Sequence, residues 1–324
     1  MPELPEVEVV RAGLQPAVTG ARVLSAKVFD ARSLKRHISL TERNSGQLAP
    51  SHGRTLDAAT QSLRAADFEQ RITGVKLAAP VRRGKFLWIP IADSPQPHTA
   101  LFAHLAMSGQ LLLRAPDAPD DKHVRIRILL ESAAGQLIRL DFADQRRFGS
   151  LAIDPLVPTA DGRAAGWGDD ACAIPAQAAH IARDLLDAEF DFARVAARLK
   201  LRNSAIKKLL LEQQLCSGIG NIYADEALWE AAIHPELRAC RISVVRLRQL
   251  LAAAADVMAR ALIEGGTSFD AQYVNVNGEA GYFVRSLNAY GRAGEPCKRC
   301  GEIMRLSNAI GRASHYCPRC QRKR

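Results

Sequence analysis

The sequence predicts an α+β protein with a β-rich first half, a helical second half and a separate cysteine module at the end. Regularly spaced short apolar runs in the first half are typical of a sandwich or a barrel. Leu, Ala and Ile recur at helical spacing from about residue 181, and four of the seven cysteines lie after residue 290. With 324 residues, the chain is long enough to bury two cores.

The first half is predicted to begin with a short helix and to continue as strands. Val7, Val10 and Leu14 fall on one helical face. The clearest strand alternates apolar and basic residues at 124–128. Strand-like runs lie at residues 22–29, 72–77, 85–91, 100–105, 111–114, 124–128, 137–142 and 149–153. The polar segment 36–66 has little periodicity, which indicates an insertion or a loop.

Residues 157–168 separate the two halves, and their Pro, Gly and Asp indicate a linker. Helices are predicted at residues 181–199, 203–215, 222–232 and 244–264. The expected domains are therefore an N-terminal β domain at 1–156, a helical domain at 169–288 and a cysteine module at 289–324.

The chain is basic, with 44 Lys and Arg against 34 Asp and Glu and a net charge of +10. This balance favours an anionic partner but does not separate DNA from RNA or an acidic membrane. No apolar run approaches the length of a membrane span, and the acidic N-terminus lacks the pattern of a secretory signal. We therefore expect a cytoplasmic protein that contacts no membrane.

Four cysteines form a zinc signature in which Cys297-x2-Cys300 and Cys317-x2-Cys320 are separated by 16 residues. Each pair can hold two corners of a tetrahedron, whereas disulfides are the alternative. Four filled positions leave none for a catalytic water, so one structural Zn²⁺ should fold the module. From residue 297 onward there are eight Lys and Arg against one Glu, which is typical of a phosphate-binding finger.

The chain start has the residue types of a covalent catalyst. Removal of Met1 would leave Pro2 as a secondary amine with a pKa of roughly 7.7–8.0. Such an amine can attack a sugar aldehyde carbon to give an iminium ion, and Glu3 lies beside it as a general acid. Pro and Glu are also favoured at any helix start, which is the structural alternative.

Five separated motifs resemble the formamidopyrimidine-DNA glycosylase family in a consistent order. They are Pro2-Glu3-Leu4-Pro5-Glu6-Val7-Glu8, His104–Gly109, Asp144–Gly149, Gly218–Glu226 and the four-cysteine module. The resemblance implies a two-layer antiparallel β-sandwich with flanking helices, then a helix-two-turn-helix domain and a zinc ribbon finger. Residues 267–283 resemble a loop that closes over an oxidised purine.

The resemblance also implies catalytic roles at matching positions. The nitrogen of Pro2 would displace the damaged base at C1′, with Glu3 assisting by proton transfer and Glu6 supporting the site. Lys85, in the stretch Arg-Gly-Lys-Phe-Leu, matches a lysine that contacts phosphate near the lesion and assists β-elimination. Arg312 matches an arginine at the finger tip that grips the phosphates at the lesion.

By the same matching, Met107, Arg146 and Phe148 would fill the gap left by an extruded base. Taken singly, Met107 and Phe148 would more often be core residues, but both stand in turns near glycines. Residues matching further DNA contacts are His123, Arg202, Lys207 and Asn221. A surface or core role is the alternative for the histidine, and a plain helix-turn-helix connection for the helical residues.

The function implied is base-excision repair. Oxidised purines such as 8-oxoguanine and formamidopyrimidines would be removed from duplex DNA, and a Pro2 Schiff base would then cut the strand by β- and δ-elimination. The expected form is a monomer on double-stranded DNA containing damaged bases. An enzyme similar to endonuclease VIII, which removes oxidised pyrimidines, and a non-catalytic zinc-containing DNA-binding protein are the alternatives. Ala106 departs from the glycine that is usual in the family.

Overall fold

The structure is a computed structural model, and it describes residues 2–46, 56–93, 98–267, 276–277 and 283–323. Two compact units divide the chain. The first comprises residues 1–2, 6–179 and 269–280, and the second residues 3–5, 180–268 and 281–324. Within the described ranges, no helix combines the length and the apolar character that crossing a membrane requires.

The first unit is built on two antiparallel sheets. Its strands are β1 (Arg22–Val28), β2 (Val81–Arg83), β3 (Phe86–Pro90), β4 (Thr99–His104), β5 (Gly109–Arg114), β6 (Val124–Glu131), β7 (Leu137–Asp144), β8 (Ser150–Pro158) and β9 (Ala173–Pro175). One sheet has the order β1-β6-β7-β5 and the other the order β2-β3-β4-β8-β9. In the central pair of the first sheet, Arg127 lies opposite Asp141.

One apolar core joins the two sheets into a sandwich. Alternation along β6 buries Ile126 and Ile128, and the same cluster includes Leu151 of the other sheet. Helices α1 (Leu4–Val18) and α3 (Ala58–Ile72) add their apolar faces to this core. The predicted α+β class with an N-terminal antiparallel β-sandwich and flanking helices is confirmed.

Two local predictions in the first unit are wrong. Residues 58–66 were expected as loop but begin α3, because Asp57 accepts a hydrogen bond from the Thr60 N–H at the helix start. Arg64, Phe68 and Ile72 then fall on its buried face. The strand expected at 72–77 is interrupted after the end of α3, where Gly74 has a φ of +84°. A short helix α2 (Leu40–Asn44) precedes α3.

Residues 157–168, whose composition predicts a linker, lie in an excursion between two paired strands. The end of β8 pairs with β9. Arg82 and Trp167 exchange two backbone hydrogen bonds of 2.8 and 2.9 Å. The excursion is thus held to the first unit by backbone pairing, which composition alone does not reveal.

The second unit is helical. Its helices are α4 (Phe192–Lys200), α5 (Ile206–Leu210), α6 (Asn221–Glu230) and α7 (Val244–Ile263). The helix expected at 181–199 is wrong over its first half, because α4 starts only where Asp191 caps it by accepting from the Arg194 N–H. Residues 181–190 instead form turns that bury Leu185 and Phe190.

The second unit also contains a small hairpin made of β10 (Arg305–Ser307) and β11 (Ser314–Tyr316). Met304, Cys297 and Cys317 form its buried centre together with Trp229 of α6. The hairpin is therefore packed on the helical domain through a tryptophan.

Candidate functional site

Glu3 is fixed at the N-terminus of α6. Its carboxylate accepts hydrogen bonds from the N–H groups of Gly220 (2.6 Å), Ile222 (2.9 Å) and Tyr223 (3.4 Å). The side chain is only 2% exposed. A carboxylate at a helix N-terminus satisfies orphan N–H donors and is favoured by the helix dipole.

Two glycines make room for the chain start. A Cβ on Gly220 would overlap the Glu3 carboxyl group, and a Cβ on Gly218 would come within 2.7 Å of the Leu4 side chain. The Leu4 N–H also donates to the Gly218 carbonyl at 3.1 Å. The Gly-x-Gly spacing therefore serves close approach of residues 3 and 4.

Three other residues of the expected catalytic set lie in the first unit. Pro2 and Glu6 are both buried, and Lys85 occupies the turn between β2 and β3. Glu8 of α1 accepts from the Arg82 guanidinium at 2.8 Å, and Arg82 donates to the Gly84 carbonyl at 3.2 Å. Glu8 lies in the N-terminal motif, but nothing in the sequence links it to an arginine 74 positions away.

The Met107 turn (residues 105–108) presents its methionine to the surface. Met107 is 43% exposed, which a core role does not explain. Ala106 has a φ of +54°, so the position keeps the left-handed conformation that favours glycine. The Ser108 hydroxyl donates to Asp144 at 2.5 Å.

The wedge loop (residues 145–149) lies beside this turn. Phe148 is 45% exposed, and the Arg146 guanidinium stands 4.9 Å from the centre of its ring. Asp144 accepts from the backbone N–H groups of Arg146 (3.1 Å) and Gly149 (2.7 Å). The structure thus brings Met107, Arg146 and Phe148 together on two turns that share Asp144.

Two histidines have ordered contacts near these turns. His123 precedes β6, is half-buried, and accepts from the Asp144 N–H through its carbonyl at 2.9 Å. His104 ends β4 and packs its ring 5.1 Å from that of Phe86, next to Lys85 in sequence. His104 begins the motif His104–Gly109, but the sequence predicted no role for it.

Lys207 is placed differently from what the resemblance implies. Its side chain is 0% exposed, and its ammonium group pairs with Asp225 at 2.6 Å and donates to the Ala313 carbonyl at 2.5 Å. Burial lowers the pKa of Lys207, and the Asp225 carboxylate opposes that shift. Asp225 also accepts from the backbone and ring N–H groups of His315, both at 2.9 Å. In this structure Lys207 thus holds the finger hairpin.

The other expected phosphate contacts stand nearer the surface. Arg202 and Arg312 are exposed, and Arg312 lies in the turn between β10 and β11. Arg202 pairs with Glu212 at 3.3 Å. Asn221 is the first residue of α6, and its side chain hydrogen-bonds the Tyr290 hydroxyl. Burial raises the pKa of Tyr290, and the hydrogen bond from Asn221 opposes that shift.

The four finger cysteines form a zinc site. Their sulfur atoms all lie within 4.8 Å of one another, close to the edges of about 3.8 Å in a tetrahedron with Zn–S bonds of about 2.3 Å. A residue outside the four cysteines also supports the site, since the Trp229 indole N–H donates to the Cys297 sulfur at 3.4 Å. Burial and thiol hydrogen bonds raise the pKa of Cys320 to about 12. A bound divalent cation would favour the deprotonated thiolate and so oppose this shift. The group fits one structural Zn²⁺.

Three family models match the chain. The N-terminal domain of formamidopyrimidine-DNA glycosylase matches residues 1–151, the H2TH domain of the same enzymes matches residues 181–272, and a zinc finger found in FPG and IleRS matches residues 294–322. A formamidopyrimidine-DNA glycosylase of Leifsonia xyli subsp. xyli is 54% identical over 93% of both chains.

Solved structures match over 99% of this chain and 100% of theirs. One is a complex between the Lactococcus lactis Fpg and DNA containing an abasic site, with 27% identity and a TM-score of 0.75. Another holds wild-type Lactococcus lactis Fpg with DNA containing an oxidised pyrimidine, with the same identity and TM-score.

The fold, the buried Glu3 site and the zinc finger define a base-excision-repair DNA glycosylase. More particularly, the chain belongs to the formamidopyrimidine-DNA glycosylase family. Met1 and most of the loop expected to close over the base, including residues 268–275 and 278–282, lie outside the described residues.

Proposed function

We propose that this protein excises oxidised purines from double-stranded DNA and then cuts the strand as an AP lyase. The observation that carries the proposal is the placement of Glu3, whose carboxylate is held by three backbone N–H groups of the helix-two-turn-helix element. This arrangement fixes the residue that follows Pro2 in the chain.

The chemistry follows from the free nitrogen of Pro2. Its lone pair attacks C1′, the bond from C1′ to the base breaks, and the base leaves with a proton. Opening of the sugar ring gives an iminium ion, which acidifies the C2′ proton. Loss of that proton expels the 3′ phosphate, and a second elimination expels the 5′ phosphate. The amine is the electron sink, so the proposal assigns the zinc no catalytic step.

We assign supporting roles by position. Lys85, in the turn between β2 and β3, contacts phosphate and assists elimination. Arg312 binds the phosphates at the lesion. The exposed Met107, Arg146 and Phe148 fill the gap left by the extruded base. His123, Arg202 and Asn221 contact DNA. Lys207, with its buried ammonium, acts through the finger hairpin that carries Arg312.

We further propose that the protein acts as a monomer in the cytoplasm, associated with the nucleoid through DNA. Its net charge of +10 supports attraction to the duplex at low salt. The expected domain bounds, including a finger at 289–324, remain predictions.

Parallel excision assays test the substrate class. Duplexes carrying 8-oxoguanine, a formamidopyrimidine or thymine glycol are incubated with wild-type protein and with Glu3→Gln. Faster release of the two purine lesions, lost in the variant, supports the proposal. Because one matched structure holds an oxidised pyrimidine, thymine glycol is the necessary comparison. Preferential release of thymine glycol would favour the endonuclease VIII-like alternative.

A further inference from the structure

One buried carboxylate joins the Met107 turn to the wedge loop. Asp144, at the end of β7, is 1% exposed. One of its oxygens accepts from the Ser108 hydroxyl (2.5 Å) and the Arg146 N–H (3.1 Å), and the other accepts from the Gly149 N–H (2.7 Å). The Ser108 hydroxyl also accepts from the Arg146 N–H at 3.3 Å.

A lysine binds the backbone carbonyl groups of the wedge loop. The Lys35 ammonium donates to the carbonyl groups of Arg147 (3.1 Å) and Phe148 (2.7 Å). Lys35 is itself fixed, because the buried Arg64 of α3 donates to its carbonyl at 3.0 Å. The loop therefore gives its N–H groups to an anion and its carbonyl groups to a cation.

The wedge loop needs this support. Arg147 has a φ of +59°, a left-handed conformation that costs about 1–2 kcal/mol for a residue with a Cβ. Such conformations persist only when surrounding contacts determine them. A Cβ on Gly149 would lie 2.9 Å from the His104 carbonyl oxygen, so the loop also returns to β8 through a position that admits only glycine.

We propose that Asp144 and Lys35 are positioning residues that hold Met107, Arg146 and Phe148 in place to occupy the hole left by the extruded base. This inference rests on the proposed function. Exposed side chains on two separate turns would otherwise lose side-chain and loop entropy when the base is extruded. We call Asp144, Ser108 and Lys35 the clamp, because their hydrogen bonds hold the two turns. With the clamp in place, the backbone entropy of the turns is already lost when the protein folds.

Asp144→Asn is the sharpest probe. Each Asp144 oxygen faces a fixed backbone N–H, from Arg146 on one side and Gly149 on the other. The Asn side chain has the same shape but must point its NH₂ group at one of these N–H groups. Two hydrogen-bond donors then face each other, and that hydrogen bond is lost. Asp141→Asn is the matched control, because Asp141 is equally buried on the same strand but pairs with Arg127 and Arg139.

The experiment compares wild type, Asp144→Asn, Ser108→Ala, Lys35→Met and Asp141→Asn, each checked for folding by thermal unfolding. Two single-turnover rates are measured: release of the base that wild type excises fastest, and cleavage at a preformed abasic site, where no base has to be extruded. A 2-aminopurine beside the lesion reports unstacking when the protein binds.

The clamp predicts that Asp144→Asn slows base release about tenfold or more, corresponding to about 1.4 kcal/mol or more. Its abasic-site cleavage stays within about threefold of wild type, or about 0.7 kcal/mol. Ser108→Ala and Lys35→Met also lower the ratio of the base-release rate to the abasic-site cleavage rate. Asp141→Asn leaves this ratio unchanged. Equal loss of both rates, or an unchanged ratio in all three clamp variants, would overturn the inference.

The fluorescence arm separates this inference from the proposed function. Unstacking of 2-aminopurine requires binding and insertion but no excision. If wild type unstacks the duplex yet releases no base, the proposed chemistry fails, and the clamp is still judged by whether Asp144→Asn loses the unstacking signal.

Discussion

The Glu3 carboxylate accepts the Gly220 N–H at 2.6 Å, across 217 positions of the sequence. Gly220 ends the glycine pair that precedes α6, and its φ of −122° is open to any residue. The requirement for glycine is therefore spatial, because a Cβ there would overlap the Glu3 carboxyl group. The chain start and the helix start are thus specified together.

Gly220→Ala tests this relationship. The methyl group should displace the carboxylate and cost about 1–3 kcal/mol of stability through lost hydrogen bonds. Base release should fall about tenfold or more. Gly291→Ala is the control, since that position has open space and a φ of +79°, so only backbone strain of about 1–2 kcal/mol is expected. Denaturant unfolding and single-turnover rates measure both, and wild-type base release by Gly220→Ala would contradict the account.

Lys207→Met tests whether Lys207 stabilises the finger hairpin from inside the protein or contacts DNA phosphate. Without the Lys207 ammonium, the buried Asp225 carboxylate keeps, among the described residues, only the N–H groups of His315, which should cost about 3–5 kcal/mol of stability. The dependence of DNA affinity on salt should not change, whereas Arg312→Gln should lower the slope by about 1. The neighbouring exposed Lys208, changed to Met, controls for the loss of a lysine. A slope lowered by about 1 with stability unchanged would place the Lys207 ammonium on DNA.

Removal of zinc should unfold the finger hairpin and weaken DNA binding. Trp229 packs in the finger core and donates to Cys297, so its fluorescence should change on chelation and recover when Zn²⁺ is added. Trp229→Phe should lose that change while still binding one metal ion per chain. Unaltered fluorescence and affinity after complete metal removal would exclude a structural role.

His37 should make stability fall in mild acid. Its Nδ1 accepts from the Ile153 N–H at 3.2 Å, and its Nε2 lies 2.9 Å from Asp67. Burial lowers the pKa of His37, and Asp67 opposes the shift. The unfolded chain therefore binds the proton first, so stability is full above the unfolded pKa of about 6.5 and declines as pH falls below it. His37→Gln should flatten the free energy of unfolding between about pH 7 and 5, and an equal slope in both proteins would refute this assignment.

The class of fold was predictable because its signals are local. Alternation along β6 and the spacing of Cys297 to Cys320 each follow from neighbouring residues. The helix α3 was missed because its buried face includes Arg64, which hydrophobic periodicity does not count. That arginine is satisfied by Glu42 and by backbone carbonyls, which are contacts visible only in three dimensions.

The site was predictable in residue type but not in partners. The motifs pointed to Glu3 and Met107, yet the donors at Gly220 and the shared carboxylate of Asp144 depend on long-range contacts. Asp144 did carry a signal, since an acidic residue at the end of a strand often accepts backbone N–H groups of the following turn. Lys207 shows the opposite case, in which a basic residue of a DNA-binding motif is used inside the protein.

Borohydride trapping on a lesion duplex, followed by mass mapping of the adduct, tests the central claim most directly. The account predicts that wild-type protein lacks Met1 and that the reduced deoxyribose is attached to the nitrogen of Pro2. Pro2→Gly together with Glu3→Gln should give no adduct. Retained Met1 with normal strand scission, or an adduct on a lysine side chain, would contradict it.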